Sequence, residues 1–206
     1  SKKVINQNTN YDSELLNTIG SNFIFDDNPI NRLKGTPNDI KTENSIDEID
    51  KEKALAELKI QINSIEDCNL KNNSKKIVLG DGDINSSIML IGEAPGLKDD
   101  SVGLTFTGEV GDLLKKMLIA INIKKENIYS TYAVNFRPPE DRKPTSIEIK
   151  RYSQFLQKHI SIISPKIIIL MGSTAMEALT GLNCRISAER GKWKEVIVKN
   201  TNYNVI

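Results

Sequence analysis

Ile88-Met89-Leu90-Ile91-Gly92-Glu93-Ala94-Pro95-Gly96 is a short apolar run that stops in a glycine- and proline-bearing loop with one carboxylate. Consecutive apolar residues bounded by turn formers read as a buried strand. In an open α/β sheet, loops leaving the carboxyl ends of strands diverge and open a crevice, and ligands bind there. Gly92 and Gly96 let the backbone come close to such a ligand, and Pro95 stiffens the turn. Plain connections share this pattern, so the residues around it decide its meaning.

Downstream, β-like runs alternate with helical ones, which predicts an α/β fold with a parallel sheet. Strands are expected at 77–79, 88–91, 128–134, 167–171 and 195–198, with Tyr203-Asn204-Val205-Ile206 as a last strand at the chain end. Between them, Leu113, Leu114, Met117, Leu118 and Ile121 are placed on one face of a helix. A second helix opens at Thr145, with Glu148 at capping-box spacing. A third opens near Thr174, with Glu177 three residues on, and closes at Gly181. Upstream, Ser45 and Glu48 have the same capping spacing before a charged helix whose apolar stripe is Ile49, Leu55, Leu58, Ile62 and Ile65. Residues 1–44, rich in Asn, Asp, Lys and Ser around the island Phe23-Ile24-Phe25, read as a flexible arm ahead of an α/β domain over 45–206.

Composition narrows the function classes. A chain of 206 residues can bury one domain core and carry an appendage. Its 28 basic and 27 acidic residues create no global field toward nucleic acid or membrane, so a polyanion must be held by local patches. No apolar stretch is long enough to span a bilayer, and the first residues lack the apolar core of a signal peptide; a cytoplasmic setting is expected. Cys68 and Cys184 are far apart, and His159 is the single histidine, so neither a disulfide framework nor a metal centre is expected. His159 reads as structural.

From Gly92 to Gly191 the motifs accumulate in order. They are Gly92-Glu93-Ala94-Pro95-Gly96, Asp99-Asp100, Gly103-Leu104-Thr105-Phe106-Thr107-Gly108 with Gly111, Arg137-Pro138-Pro139 with Arg142 and Pro144, Pro165-Lys166 before a strand and Gly172, and Arg190-Gly191. This series resembles the uracil-DNA glycosylase superfamily, specifically family 4 and its relatives without an iron–sulfur cluster. The resemblance implies a three-layer α/β/α sandwich around a central, mainly parallel four-stranded sheet. It also implies hydrolysis of the N-glycosidic bond of uracil in DNA, leaving an abasic site, as in base excision repair. The partner would be uracil-containing DNA, met by a monomer in a cytoplasmic, nucleoid-associated setting, with no metal or diffusible cofactor.

The chemistry explains the residue types. Cutting this bond builds positive charge on the sugar and negative charge on the departing base, and water must attack with help from a carboxylate. The base must also leave the helix for a tight pocket with an aromatic face. By resemblance, the backbone of Gly92, Glu93 and Ala94 lines the pocket together with Pro95 and Gly96. Asp99 stands where the family places the water-orienting carboxylate, Glu93 is a second catalytic candidate, and Phe106 stacks on uracil. Prolines hold Arg137-Pro138-Pro139-Glu140-Asp141-Arg142 extended, and with Arg190 this stretch is assigned to the DNA surface. As residues alone, Asp99 reads first as a turn-forming loop acid and Phe106 as a core cap, while the arginines read equally as solvated charges; Lys115, Lys116, Lys124 and Lys125 read as a solvated helix edge.

Three departures from the family pattern carry expectations. Of the four cluster cysteines only Cys68 has a counterpart; Ile65, Phe136 and Ser153 occupy the other positions, so no iron–sulfur cluster is expected and Phe136 would fill the space. Tyr132 stands where the family has its uracil-reading asparagine; a phenol cannot offer the donor and acceptor of an amide together, so discrimination against cytosine should suffer. Asn135, three residues on, would substitute only by turning to the other face of the strand. Finally, a His-Pro motif is missing, and the chain reads as truncated at Ile206; loss of that anion-stabilising group would cost about 2–4 kcal/mol of transition-state stabilisation. The competing function is therefore a catalytically impaired glycosylase-fold module that binds DNA or a partner. A flavodoxin-like phosphate-binding domain ranks behind both, because Glu93, Asp99 and Asp100 repel phosphate.

Overall fold

β2 (Ile88–Gly92) forms as expected and lies inside the sheet, hydrogen-bonded in parallel to β3 (Tyr129–Tyr132) on one side and β4 (Ile167–Leu170) on the other. The computed structural model describes residues 48–182 and 185–206. The expected arm over 1–44, the Ser45 cap and Cys184 lie outside the described residues.

The sheet has six strands rather than the expected four, in the order β1-β3-β2-β4-β6-β5. β6 (Thr201–Val205) runs parallel to β4, while β1 (Asp81–Gly82) and β5 (Lys194–Val198) are antiparallel edges on β3 and β6. The expected strand at 77–79 joins no ladder; Val78 instead exchanges two bonds with Asn135, its N–H donating to the Asn135 carbonyl at 2.9 Å and its carbonyl accepting from Asn135 Nδ2 at 3.0 Å, and the pairing falls two residues later in β1. β5 and β6 form a hairpin across Lys199 and Asn200, both left-handed at φ 47° and 67°, the backbone twist that a two-residue turn between antiparallel strands requires.

Because side chains alternate along a strand, β2 serves two cores. Met89 and Ile91 enter the larger one with Ile168, under α1 (Glu48–Asn63), α5 (Ser146–Ile163) and α6 (Ser173–Thr180). On α1, Leu55, Leu58 and Ile62 are buried as the stripe predicted; Ile65 is buried too, but two residues past the helix end. α5 carries the expected capping box, with Glu148 accepting from Thr145 N at 2.7 Å and Thr145 Oγ1 accepting from Glu148 N at 3.3 Å. α6 ends at Gly181 in the left-handed conformation, but its N-cap is Gly172, and Thr174 is buried inside the helix instead of capping it.

Leu90 faces the second, smaller core, covered by α4 (Gly108–Ala120). Only part of the predicted α4 face is used. Leu114 and Leu118 are buried, whereas Leu113, Met117 and Ile121 remain about 60% exposed (60%, 60% and 63%). Beside α4 an apolar cleft of about 780 Å³ runs over Ile169, Met171 and Ile206 toward Ile186 and Arg190.

His159 is buried on α5, where its Nε2 meets the Tyr129 hydroxyl at 2.8 Å and its Nδ1 lies 3.5 Å from Thr131 Oγ1. Burial lowers its pKa to about 3, so the ring is neutral across the physiological range.

Candidate active site

At the carboxyl end of β2 a cleft of about 580 Å³ opens, a size suited to a small molecule or a single base. The loop after β2 contributes Gly92, Glu93, Ala94, Gly96, Leu97, Lys98 and Asp99. The segment before and into α4 contributes Phe106, Thr107, Gly108, Glu109 and Val110, and Tyr132 and Met171 close the far side. Pro95 is buried behind the lining.

Gly92 is required by contact. A Cβ there would lie 2.8 Å from Phe106 Cζ and 2.8 Å from the Tyr132 ring, so both aromatic rings rest directly on the backbone. The rings sit 5.0 Å apart at an interplanar angle of 45°. Phe106 is 6% exposed and adopts φ 48°, an uncommon conformation for a bulky residue. Gly111, one turn into α4, is equally constrained, because a Cβ there would stand 1.7 Å from the Phe106 carbonyl oxygen.

Several groups hold Phe106 in place. Its N–H donates to the Tyr132 hydroxyl at 2.8 Å, and that hydroxyl donates to Asp99 Oδ2 at 2.8 Å. Thr107 donates to Asp99 Oδ1 from its backbone N at 2.7 Å and from Oγ1 at 2.5 Å. Lys125 Nζ donates to the carbonyls of Thr105 at 2.8 Å and Phe106 at 3.3 Å, and lies 4.0 Å from Asp81. Thr105 Oγ1 donates to Asp81, and Ser130 Oγ reaches the same carboxylate at 2.9 Å. Lys125 is thus no solvated helix edge; Thr105 and Thr107, named only as motif positions, prove to be structural partners, and Asp81 and Ser130 join the site unannounced by any motif.

Asp99 differs from its expected role. It sits at the third position of α3 (Leu97–Val102), is 6% exposed, and also accepts from Gly96 N at 2.9 Å. Each of its oxygens therefore already accepts two hydrogen bonds from the protein, which leaves the carboxylate without a lone pair to orient a water. Two other carboxylates line the cleft, Glu109, which is exposed, and Glu93, which is half-buried with Oε2 directed toward Gly172. Asp100 faces away and ties down the 74–76 segment through the amides of Lys75 at 2.8 Å and Lys76 at 3.2 Å.

Burial pushes the Tyr132 phenol far above its ordinary range, and the neighbouring Asp99 charge pushes it the same way, so it stays a hydrogen-bond donor. Asn135 offers the base no amide: its Nδ2 donates to the carbonyls of Val78 at 3.0 Å and Leu79 at 3.3 Å, on the other side of the strand.

The arginines expected at DNA are paired within the chain. Arg137 grips Asp141 through Nε at 2.7 Å and Nη2 at 2.8 Å, and Arg142 grips Glu148 through Nη1 at 2.9 Å and Nη2 at 2.7 Å. The Arg142 guanidinium holds the Glu148 carboxyl at about 2. Pro138 is buried and Pro139 half-buried, with Glu140 and Asp141 left-handed beyond them. Arg190 is exposed and borders the apolar cleft rather than the polar one.

The residues at the four positions that the resemblance gives to a cluster do not fit one. Cys68 is buried with its sulfur 3.3 Å from the Tyr152 hydroxyl, Ile65 and Phe136 are buried apolar side chains, and Ser153 donates to the Lys150 carbonyl. Phe136 stacks edge-on against Tyr152 at 6.4 Å, occupying space beside the thiol. One thiol among apolar neighbours is not a donor set for a four-thiolate cluster. Among the described residues no group of three or more His, Cys, Asp or Glu is arranged to hold a metal, and no helix is long and apolar enough to cross a membrane.

A crevice at the carboxyl ends of parallel strands, walled by two tilted aromatic rings and a Gly-Glu-Ala-Pro-Gly loop, stands where open α/β sheets bind their ligands. The family model of the uracil DNA glycosylase superfamily matches residues 79–206, and the chain belongs to that superfamily. Within it the chain is similar to proteins named type-4 uracil-DNA glycosylase. It is 35% identical to that of Thermotoga maritima over 60% of this chain and 65% of the relative, and 32% identical to that of Archaeoglobus fulgidus over 69% and 74%. It is 31% identical to that of Pyrobaculum aerophilum over 68% and 71%. The matches thus span about two thirds of those relatives' lengths, from 65% to 74%.

Proposed function

We propose that the protein is a DNA repair glycosylase that hydrolyses the bond between uracil and deoxyribose and leaves an abasic site. The observation that carries this reading is the cleft at the end of β2, where Phe106 and Tyr132 rest on Gly92 and Glu93 is a half-buried carboxylate with free lone pairs. An extruded base stacks on the Phe106 ring, which replaces the stacking it loses in DNA. The half-buried Glu93 carboxylate orients the attacking water and steadies the positive charge that develops on the sugar. Asp99 acts as a positioning residue through Thr107 and Tyr132. Arg137 and Arg142 keep N–H donors beyond those given to Asp141 and Glu148, and these can meet phosphate, whose contacts set affinity without reading sequence.

The second reading, a fold-retaining module that binds DNA without cutting it, is favoured by the absence of a base-reading amide at Tyr132 and Asn135. Single-turnover release of uracil from a labelled oligonucleotide, single-stranded and paired with G, separates the two when this chain is run beside Glu93→Gln. Release by the parent, slowed about 10²–10⁴-fold in the variant, is expected for loss of a general base. Retained binding with no release by the parent selects the module.

A further inference from the structure

Tyr132 is a buried side chain facing the cleft, and its hydroxyl is occupied on both sides. It accepts from Phe106 N at 2.8 Å and donates to Asp99 Oδ2 at 2.8 Å. The residue it supports has a left-handed backbone, at φ 48°, that a phenylalanine adopts only when its surroundings enforce it. The next residue, Thr107, is tied to the same carboxylate by two further bonds at 2.7 and 2.5 Å. Tyr132, Asp99 and Thr107 therefore form one bracket around Phe106, with the Phe106 and Tyr132 rings pressed onto Gly92 from the cleft side.

We propose that Tyr132 is a positioning residue that locks the Phe106 wall for an incoming base and does not itself read the base edge. The single hydroxyl proton is committed to Asp99, so Tyr132 offers no donor to a carbonyl of the base. Base capture here depends on an aromatic surface fixed before binding, and the lock removes the entropy cost of ordering that surface each time a base enters. The proposal rests on the glycosylase reading only for its kinetic readout.

The test compares the parent with Tyr132→Phe, which removes one oxygen, and Tyr132→Asn, which supplies an amide at the same strand position. Hydrogen exchange resolved at the Phe106 and Thr107 amides reports on the lock whether or not the protein is active. Steady-state excision from a uracil oligonucleotide reports on its use. Tyr132→Phe is expected to speed exchange at these two amides about tenfold or more, since both hydrogen bonds of the hydroxyl are lost, with the α5 amides unchanged. It should raise KM by a similar factor while kcat stays within about threefold. Tyr132→Asn is expected to do worse on both counts.

Unchanged exchange in Tyr132→Phe overturns the proposal, as does faster exchange with an unmoved KM in an active parent. Faster excision by Tyr132→Asn than by the parent also overturns it, because the position would then be a base-reading one. If the parent releases no uracil, the exchange measurement still decides the lock, and the glycosylase reading falls by itself.

Discussion

The two faces of the sheet are built to different standards. One is sealed by α1, α5 and α6 over a core that includes Leu58, Met89, Ile160 and Ile168, each fully buried. The other is covered mainly by α4, whose buried residues are Gly111, Leu114 and Leu118, with an apolar cleft open beside it. The candidate site lies on the thinner side, since Phe106 and Tyr132 belong to the α4 core. The difference teaches that stability is concentrated away from the chemistry. The site gains its rigidity from local hydrogen bonds to Asp99, Asp81 and Lys125 rather than from a deep core.

The sharpest way to break this comparison is to damage each face in turn. Ile160→Ala on the sealed face should cost about 2–5 kcal/mol in denaturant unfolding, the range for a large-to-small change in a tight core. Excision measured well below the melting temperature should hardly change. Gly111→Ala on the thin face should do the reverse. Its Cβ must displace the Phe106 carbonyl, and a shift of about 1 Å at such a wall costs on the order of 10²-fold in excision. An equal loss of activity in both variants would mean that the faces are not separable.

A third test uses acid. His159 faces Tyr129 and Thr131 and is held neutral to about pH 3, against an ordinary value of 6.5. Between those values the unfolded chain binds a proton that the folded chain refuses. Stability is therefore complete above pH 6.5 and falls as pH drops toward 3, by on the order of 1 kcal/mol per pH unit. His159→Gln should flatten that slope in unfolding curves from pH 7 to 4, and a slope equal to the parent's would show that His159 is not its source. The smallest effect belongs to Leu113→Ser on the exposed stripe of α4, expected within about 0.5 kcal/mol of the parent. A larger loss would show that something covers this stripe in solution.

The run before Gly92 was legible because a short apolar segment bounded by turn formers reads as a buried strand, and the loop after it emerges at the carboxyl end of the sheet. α5 was legible because Thr145 and Glu148 carry their own start signal. α4 was legible only as a helix. Val110, Leu113, Leu114, Met117, Leu118, Ile119 and Ile121 surround more than one stripe, and the buried one follows Gly111, which lets the helix sit against Phe106. Thr174 misled because a threonine with a glutamate three residues on caps only if its backbone is extended, and here Gly172 takes that place.

In the site, residue types were readable and their partners were not. Phe106 and Glu93 could be singled out from the loop, but the Asp99 bracket depends on Tyr132, which lies 33 residues away. Likewise Lys125 reaches back 20 residues to the Thr105 carbonyl, a contact that no spacing announces. The ion pairs of Arg137 and Arg142 are local, at four and six residues' separation, and the alternation of charge through Asp141 and Glu148 was a signal that could have found them.

The hairpin at Lys199 and Asn200 has a bearing on the order in which the chain assembles. β5 and β6 close over two residues and need no other part of the molecule to pair, so they zip on the microsecond scale of a local hairpin. β2, β3 and β4 pair in parallel across crossovers that must form their helices first. The expected sequence is a preformed hairpin that waits for β4 and then docks through Ile167 and Ile168, and pulsed hydrogen labelling during refolding should protect Val196 and Tyr203 before Leu90. β6 is then among the first structures made, and the candidate crevice is finished only when the slow parallel centre closes beside it.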